Sequence, residues 1–402
     1  MLRIALVCLH TSPADEPGSG DAGGMNVVVL HQAQALASQG HDVEIITRRS
    51  TPTGPAVLNF GDRLRLRFVD AGPAHPLAKG DHELYIGEFS EALRSLGPYD
   101  VFHSHHWFSG MAALPVARTR GIPHVQSFHS IAADDSTPLS DGERAESPGR
   151  MAGESWLARE SDALIAISEA EAHTIETRLG GSPGRITVVS PGVDSELFAP
   201  AAPAPGSHES HESRRPYAVV AARLQPLKGL DLAIEAIAAV PESIRPELVI
   251  SGDASADFDG YIDELSQLAR RRGIADSVHF IGPQSRQALA ELLRSARVVL
   301  IPSHSETYGL VALEAAASRV PVVAAASGGL REAVVDGVTG VVLDSRDPAV
   351  WADAIARLLS HDEEADELSS RARERAETLS WARSADALLG VYTGLVSSVA
   401  VA

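Results

Sequence analysis

The chain has 402 residues, 44% hydrophobic and 22% charged, and 34 Lys and Arg against 53 Asp and Glu give a net charge of −19. That length favours two or three domains with sizeable cores. The acidic balance excludes a chain-wide nucleic-acid or anionic-membrane binder, which needs a positive field.

The apolar run Leu2–Leu9 reads as a strand buried on both faces. Its one cysteine, Cys8, cannot form an internal disulfide and reads as a buried thiol. The run lacks a basic leader and an A-x-A cleavage site, and no stretch of about 18 uncharged apolar residues follows, so the expectation is a cytoplasmic protein. A polar, glycine-rich loop comes next, then a helix over Met25–Gln39 closed by Gly40, then a strand over Val43–Thr47. This βαβ grammar predicts a doubly wound α/β sheet. It continues with strands at Leu64–Val69, Val101–His103, His124–Ser127, Ala163–Ile167 and Ile186–Val189. Helices fall at Glu83–Leu96, Met111–Arg120, Met151–Glu160 and Glu169–Leu179, and residues 132–150 read as a long functional loop.

Residues 199–216, rich in Pro, Ala and Ser with HES repeated, read as a linker or mobile surface loop. The grammar restarts with strands at Tyr217–Ala221, Glu247–Ser251, Val278–Ile281, Val298–Ile301, Val320–Ala324 and Thr339–Val342. Helices alternate with them at Gly229–Ala239, Tyr261–Arg272, Gln287–Ser295, Gly309–Ala317 and Leu330–Asp336, and more helix runs from Pro348 to the end. Domains over 1–198 and 217–379 place a cleft between them, and ligands of such sheets bind beyond the strands' carboxyl ends.

Five motifs fall at such ends. Asp21-Ala-Gly23-Gly24-Met-Asn26 precedes the first helix, whose N-terminus can face a phosphate; as a bland alternative it is a turn. It is not G-x-G-x-x-G, so a nicotinamide fingerprint is absent. Arg223 and Lys228 flank a turn before a helix and suit a diphosphate held without a metal, or are simply solvated. Glu306 lies after a strand and Glu314 inside the apolar helix GLVALEAAA, where a buried carboxylate must be paired or hydrogen-bonded; both can accept from sugar or ribose hydroxyls. His103, His105 and His106 suggest zinc, but neighbouring strand residues face opposite ways and no Cys or H-E-x-x-H accompanies them. His129 follows a strand and can donate to a ligand. Ser327-Gly328-Gly329 is a second glycine pair at a helix start, expected to face the first across the cleft.

Together the motifs resemble the family 4 retaining glycosyltransferases of the GT-B fold. The carriers are the E-x7-E pair Glu306–Glu314, the upstream Arg223 and Lys228, and a glycine pair in each half, from residue 1 to about 390. Tyr308 stands where the family more often has Phe. Segments 10–29, 71–80, 103–110, 139–155, 188–194 and 223–229 resemble the inositol-phosphate branch of that family, which serves actinobacterial mycothiol biosynthesis.

The resemblance implies two facing Rossmann-like domains, with a last helix of about 380–402 packed back on the first. It implies N-acetylglucosamine transfer from UDP-GlcNAc to 1D-myo-inositol 3-phosphate, with no cofactor required for catalysis and no catalytic metal. Retention then proceeds by front-face attack, with the acceptor proton passing to the diphosphate. For donor contacts it implies His10, Gly24, Arg223, Lys228, Gln284, Glu306, Gly309, Leu310 and Glu314, with His129 on the donor sugar. His129, Glu306, Arg223 and Lys228 form its catalytic set. For the acceptor it implies Asp21, Gly23, Gly24, Asn26, Lys79, His106, Ser130 and Arg150. His106 replaces the branch's phosphate-binding tyrosine, Ser130 its threonine, and Asp134 and Asp135 fall in a usually basic segment. Val320 replaces a threonine linked to a structural Mg site. A homodimer is compatible with the family. The alternatives are a paralogue with another acceptor, a sugar-nucleotide epimerase, and a non-catalytic nucleotide-sugar binder.

Overall fold

The computed structural model describes residues 1–18, 22–132, 146–201, 216–254, 258 and 260–401. The first half builds an eight-stranded sheet from β1 (Arg3–Cys8), β2 (Asp42–Arg48), β3 (Val57–Asn59), β4 (Leu64–Val69), β5 (Val101–His105), β6 (His124–Ser127), β7 (Ala163–Ala166) and β8 (Ile186–Val188). Its order is β3-β4-β2-β1-β5-β6-β7-β8, all parallel except the β3–β4 pair. Helices α1 (Gly24–Ser38), α2 (Ile86–Arg94), α3 (Trp107–Arg120), α4 (Arg150–Glu160) and α5 (Glu169–Thr177) complete this half.

The second half holds a six-stranded parallel sheet in the order β11-β10-β9-β12-β13-β14. Its strands are β9 (Tyr217–Ala221), β10 (Glu247–Ser251), β11 (Val278–Phe280), β12 (Val298–Ile301), β13 (Val322–Ala325) and β14 (Val341–Leu343). Its helices are α6 (Leu230–Ala239), α7 (Tyr261–Arg271), α8 (Arg286–Arg294), α9 (Leu310–Ala317), α10 (Leu330–Ala333), α11 (Pro348–Ser360) and α12 (Asp362–Glu377).

The strand sequences explain the layering. Alternate residues of β1 feed opposite cores: Ala5 and Val7 join the cluster around Phe102 and Phe108, while Ile4, Leu6 and Cys8 join the one around Val29 and Leu36. In β9, Ala218 and Val220 face one core and Val219 the other. Helix α13 (Trp381–Val401) inserts Ala385, Leu388 and Tyr392 into the core of Ile4 and Leu6, and Gln32 Nε2 donates to Ser384 Oγ at 2.9 Å.

Several boundaries differ from the sequence reading. The stretch read as the start of the second helix winds as a 3₁₀ turn over Lys79–Tyr85, with His82 buried. Strand β3 went unseen because three half-exposed edge residues carry little pattern. Strand β5 runs two residues past His103, and α10 has one turn only, ending before Val334. Residues 133–145 and 202–215, within the loop and linker readings, lie outside the described residues.

Candidate active site

Between the carboxyl ends of the two sheets lies a cleft of about 1110 Å³. Residues after β1, β5 and β6 line one side, and residues after β9 and β12 the other.

On the first side, Gly23 and Gly24 open α1 close to the opposite wall. A Cβ on Gly23 would lie 3.5 Å from Arg223 Nε, and one on Gly24 3.4 Å from Leu310 Cδ1. Asn26 lines the cleft and also holds this loop. Its Oδ1 accepts from Gly23 N at 3.2 Å, and its Nδ2 donates to Thr11 Oγ1 at 2.9 Å and Ser12 O at 2.6 Å. Asp21 lies outside the described residues.

Lys79, His10, His106, Ser130 and Arg150 line the same side. Arg150 is buried and already engaged. Its guanidinium meets Glu154 at 2.8 Å and Glu146 at 2.7 Å, and it donates to Ser130 O and Oγ at 3.0 and 3.1 Å. It therefore enters the cleft already paired with two carboxylates, whereas the resemblance implies a cation for the acceptor beside Lys79. His106, at φ +69°, lies against His10 and Phe108, with ring centroids 4.3 and 4.8 Å apart; neither of its nitrogens has a protein partner.

On the second side, Lys228 Nζ lies 2.6 Å from Glu306 Oε2, which also accepts from Ser303 Oγ at 3.3 Å. Arg223, Gln284, Gly309 and Leu310 line the cleft with them. Glu314, buried in α9, is paired with Arg286, whose Cζ sits 4.6 Å from the Phe198 ring centroid. That meets the pairing demand placed on a carboxylate in an apolar helix. The second glycine pair does not face the first. Gly328 and Gly329 are outside the cleft lining; they pack behind the Glu306 loop, where Gly329 N donates to Glu306 O at 3.0 Å. A Cβ on Gly329 would meet Thr307 O at 2.1 Å, so the pair permits backbone approach.

His10, His105, His106 and His129 are neutral near pH 7. Burial pushes His10, His105 and His106 well below their ordinary value, and His129 down to about 3. His103 and His105 share a face of β5, 4.2 Å apart at their centroids, while His106 turns to His10. Among the described residues no group of three His, Cys, Asp or Glu is placed to hold a metal ion. Val320 is buried among apolar side chains and offers no side-chain oxygen to a metal ion.

Sequence reasoning missed Arg286, Arg178 and Thr307, and it weighed His105 only as a zinc candidate. Arg178 and Arg286 line the cleft, and Thr307 Oγ1 donates to His129 O at 2.7 Å, joining the two halves. Only Arg286 had a signal: a buried Glu314 demanded a cation.

Residues 23–192 match the glycosyl transferase 4-like domain and residues 207–375 the glycosyl transferases group 1 domain. The D-inositol 3-phosphate glycosyltransferase of Xylanimonas cellulosilytica is 40% identical, covering 97% of this chain and 96% of that one. The chain belongs to this glycosyltransferase family. The enzyme of the same name from Mycolicibacterium smegmatis is also 40% identical, over 98% of this chain and 92% of its own. Sucrose-phosphate synthase of Thermosynechococcus elongatus superposes with a TM-score of 0.91 at 26% identity, covering 99% of this chain and 100% of that one. HepE of Anabaena in complex with UDP-glucose gives 0.75 at 18% identity, covering 98% of this chain and 100% of that one. The fold of this glycosyltransferase is therefore GT-B. Among the described residues no helix is long and apolar enough to cross a membrane.

Proposed function

We propose that this glycosyltransferase moves N-acetylglucosamine from UDP-GlcNAc to 1D-myo-inositol 3-phosphate with retention at the anomeric carbon. The observation that carries the reading is Lys228 beside Glu306 in the same cleft as Arg223 and the glycine loop of the opposite domain. A diphosphate gains negative charge as the C1–O bond breaks, and fixed cations in a partly desolvated cleft stabilise that charge. Diphosphate binding draws Lys228 from Glu306, whose freed carboxylate then accepts from the sugar hydroxyls. The acceptor oxygen bonds to C1 on the departing face and its proton passes to the leaving diphosphate oxygen. No added cofactor is needed for this chemistry. The names and near-full-length identity of the relatives support the acceptor.

A paralogue with a less charged acceptor is the second reading. Two carboxylates on Arg150 and a neutral His106 favour it, because they reduce the positive charge that these two residues offer an acceptor phosphate. UDP release from UDP-GlcNAc, with inositol 3-phosphate and then uncharged polyols, decides between them. Release and a glycoside of the expected mass with inositol 3-phosphate support the first reading. Release only with another acceptor supports the second, and none with any acceptor overturns both.

A further inference from the structure

Arg48 ends β2 and is 4% exposed. Its guanidinium reaches from the sheet into the loop that follows β4. Nη1 donates to Arg49 O at 3.0 Å and to Pro73 O at 2.6 Å, and Nη2 donates to His75 O at 3.0 Å. Among the described residues no carboxylate pairs with it, and these bonds are the ones that tie residues 73–78 to the sheet. A buried cation held only by neutral carbonyls is costly, because their dipoles offset its desolvation only in part. What it gives in return is geometry. The planar fork grips two carbonyls two residues apart and fixes the direction of the chain between them.

The chain leads from this turn into the cleft wall. Lys79 comes four residues after His75, opens the 3₁₀ turn and lines the cleft. His82 on the same turn is buried, with its ring 6.0 Å from those of His10 and Phe108, both in the lining. The start of the loop is pinned as well. Gly72 N donates to Glu88 Oε2 at 2.7 Å, and a Cβ there would lie 2.4 Å from the Tyr85 ring. Arg48 grips the stretch between these two anchors, so its loss frees residues 73–78 and Lys79 with them. Arg150 is already paired with two carboxylates and His106 is neutral, so an acceptor phosphate depends the more on where Lys79 points.

We propose that Arg48 is a positioning residue for the acceptor, which holds residues 73–75 so that Lys79 enters the cleft in one direction and meets an anionic group there. The anion rests on the glycosyl-transfer reading with a phosphorylated acceptor; the hold on the loop does not.

Hydrogen–deuterium exchange of the ligand-free full chain tests the hold. Arg48→Lys keeps the charge but offers no planar fork. Exchange across residues 72–82 is expected to quicken about fivefold or more, while exchange across 223–229 stays as it was. Unchanged exchange across 72–82 overturns the proposal. Rates of UDP release test the consequence. Arg48→Lys is expected to raise KM for inositol 3-phosphate about tenfold, with kcat and KM for UDP-GlcNAc kept within about twofold. Lys79→Ala raises the same KM, and the double variant is expected to be no worse than Lys79→Ala alone, because Arg48 acts through Lys79. A purely structural role would make the two losses multiply or raise both KM values, and either outcome overturns the proposal. So does an unchanged KM for inositol 3-phosphate in Arg48→Lys or in Lys79→Ala. Arg48→Gln, with one amide in place of the fork, gives the same readouts should Arg48→Lys not fold. Failure of the glycosyl-transfer reading shows itself separately, as absent UDP release in the unmodified chain with inositol 3-phosphate, while exchange still reports the hold.

Discussion

Arg286 and Glu314 show how one side chain can depend on another far along the chain. Glu314 is buried, so its charge is tolerated because the Arg286 guanidinium lies against it. Replacing Arg286 with Met leaves that carboxylate uncompensated, and unfolding stability is expected to fall by on the order of 3 kcal/mol. Glu314→Gln in the same background is expected to recover part of the loss, which a double-mutant cycle of urea midpoints measures. Glu171 is a second buried carboxyl. It accepts from Ile167 N at 2.7 Å, yet burial raises it to about 7. The folded state then keeps a proton that the unfolded chain releases near the ordinary carboxyl value. The stability this contributes is complete below that ordinary value and is lost as pH rises through about 7. The loss is roughly 3 kcal/mol across that window. Glu171→Gln cannot titrate, so its stability is expected to fall less than the unmodified chain's between about pH 5 and about pH 8. Parallel slopes of urea midpoint against pH would rule this out. The sequence already exposed Glu306 through its place after a strand and Glu314 through its place inside an apolar helix. It could not pair Arg286 with Glu314, because that contact depends on how α8 packs on α9 and not on spacing.

At the scale of elements, the long buried strands were legible because β1, β9, β12 and β13 are continuous apolar runs. The miss with consequences was β5. Read as ending at His103, it left His105 in a loop, whereas two more strand residues put His103 and His105 on one face and bring His105 to His129. Polar residues at a strand end look like loop, and only the partner strand β6, which pairs Ser127 with His105, reveals the extension. The turn carrying Lys228 offers an element-level test. Gly229 follows that turn at φ +64°, and a Cβ there would lie 2.1 Å from Pro302 O. Gly229→Ala must therefore shift the turn or the loop after β12, for both the left-handed backbone and the clash oppose it. The expected outcome is a loss of about 2 kcal/mol or more in stability. UDP release should fall at least tenfold, because Lys228 moves from its place beside Glu306. Unchanged melting and turnover would show that the turn is not held by this contact.

Across the whole molecule, the two sheets were predictable from repeated βα grammar, but the contacts that fix one domain against the other were not. They join residues whose separation in sequence carries no signal. Glu332, in α10 of the second domain, accepts from Glu169 N at 2.9 Å and Ala170 N at 3.0 Å, in the first turn of α5. A carboxylate there meets both free amides and the positive end of the helix dipole. Thr307 Oγ1 adds the bond to His129 O, one residue from Glu306. The Glu306 loop and the domain contact are thus parts of one stretch, so a ligand that engages Glu306 and strengthens this contact is expected to favour the domain arrangement seen here over a more open one. Glu332→Ala removes the carboxylate while leaving its backbone carbonyl, which accepts from Arg375 at 2.6 Å. An N-terminal carboxylate of this kind contributes about 1 kcal/mol, so the variant should shift the closed-to-open ratio several-fold toward open. Small-angle scattering should show a larger radius for the ligand-free variant, and UDP should restore the compact form only at higher concentration. Glu332→Gln, which keeps one acceptor, should fall between. Scattering and UDP affinity that match the unmodified chain would mean that the domains are held by their other contacts alone.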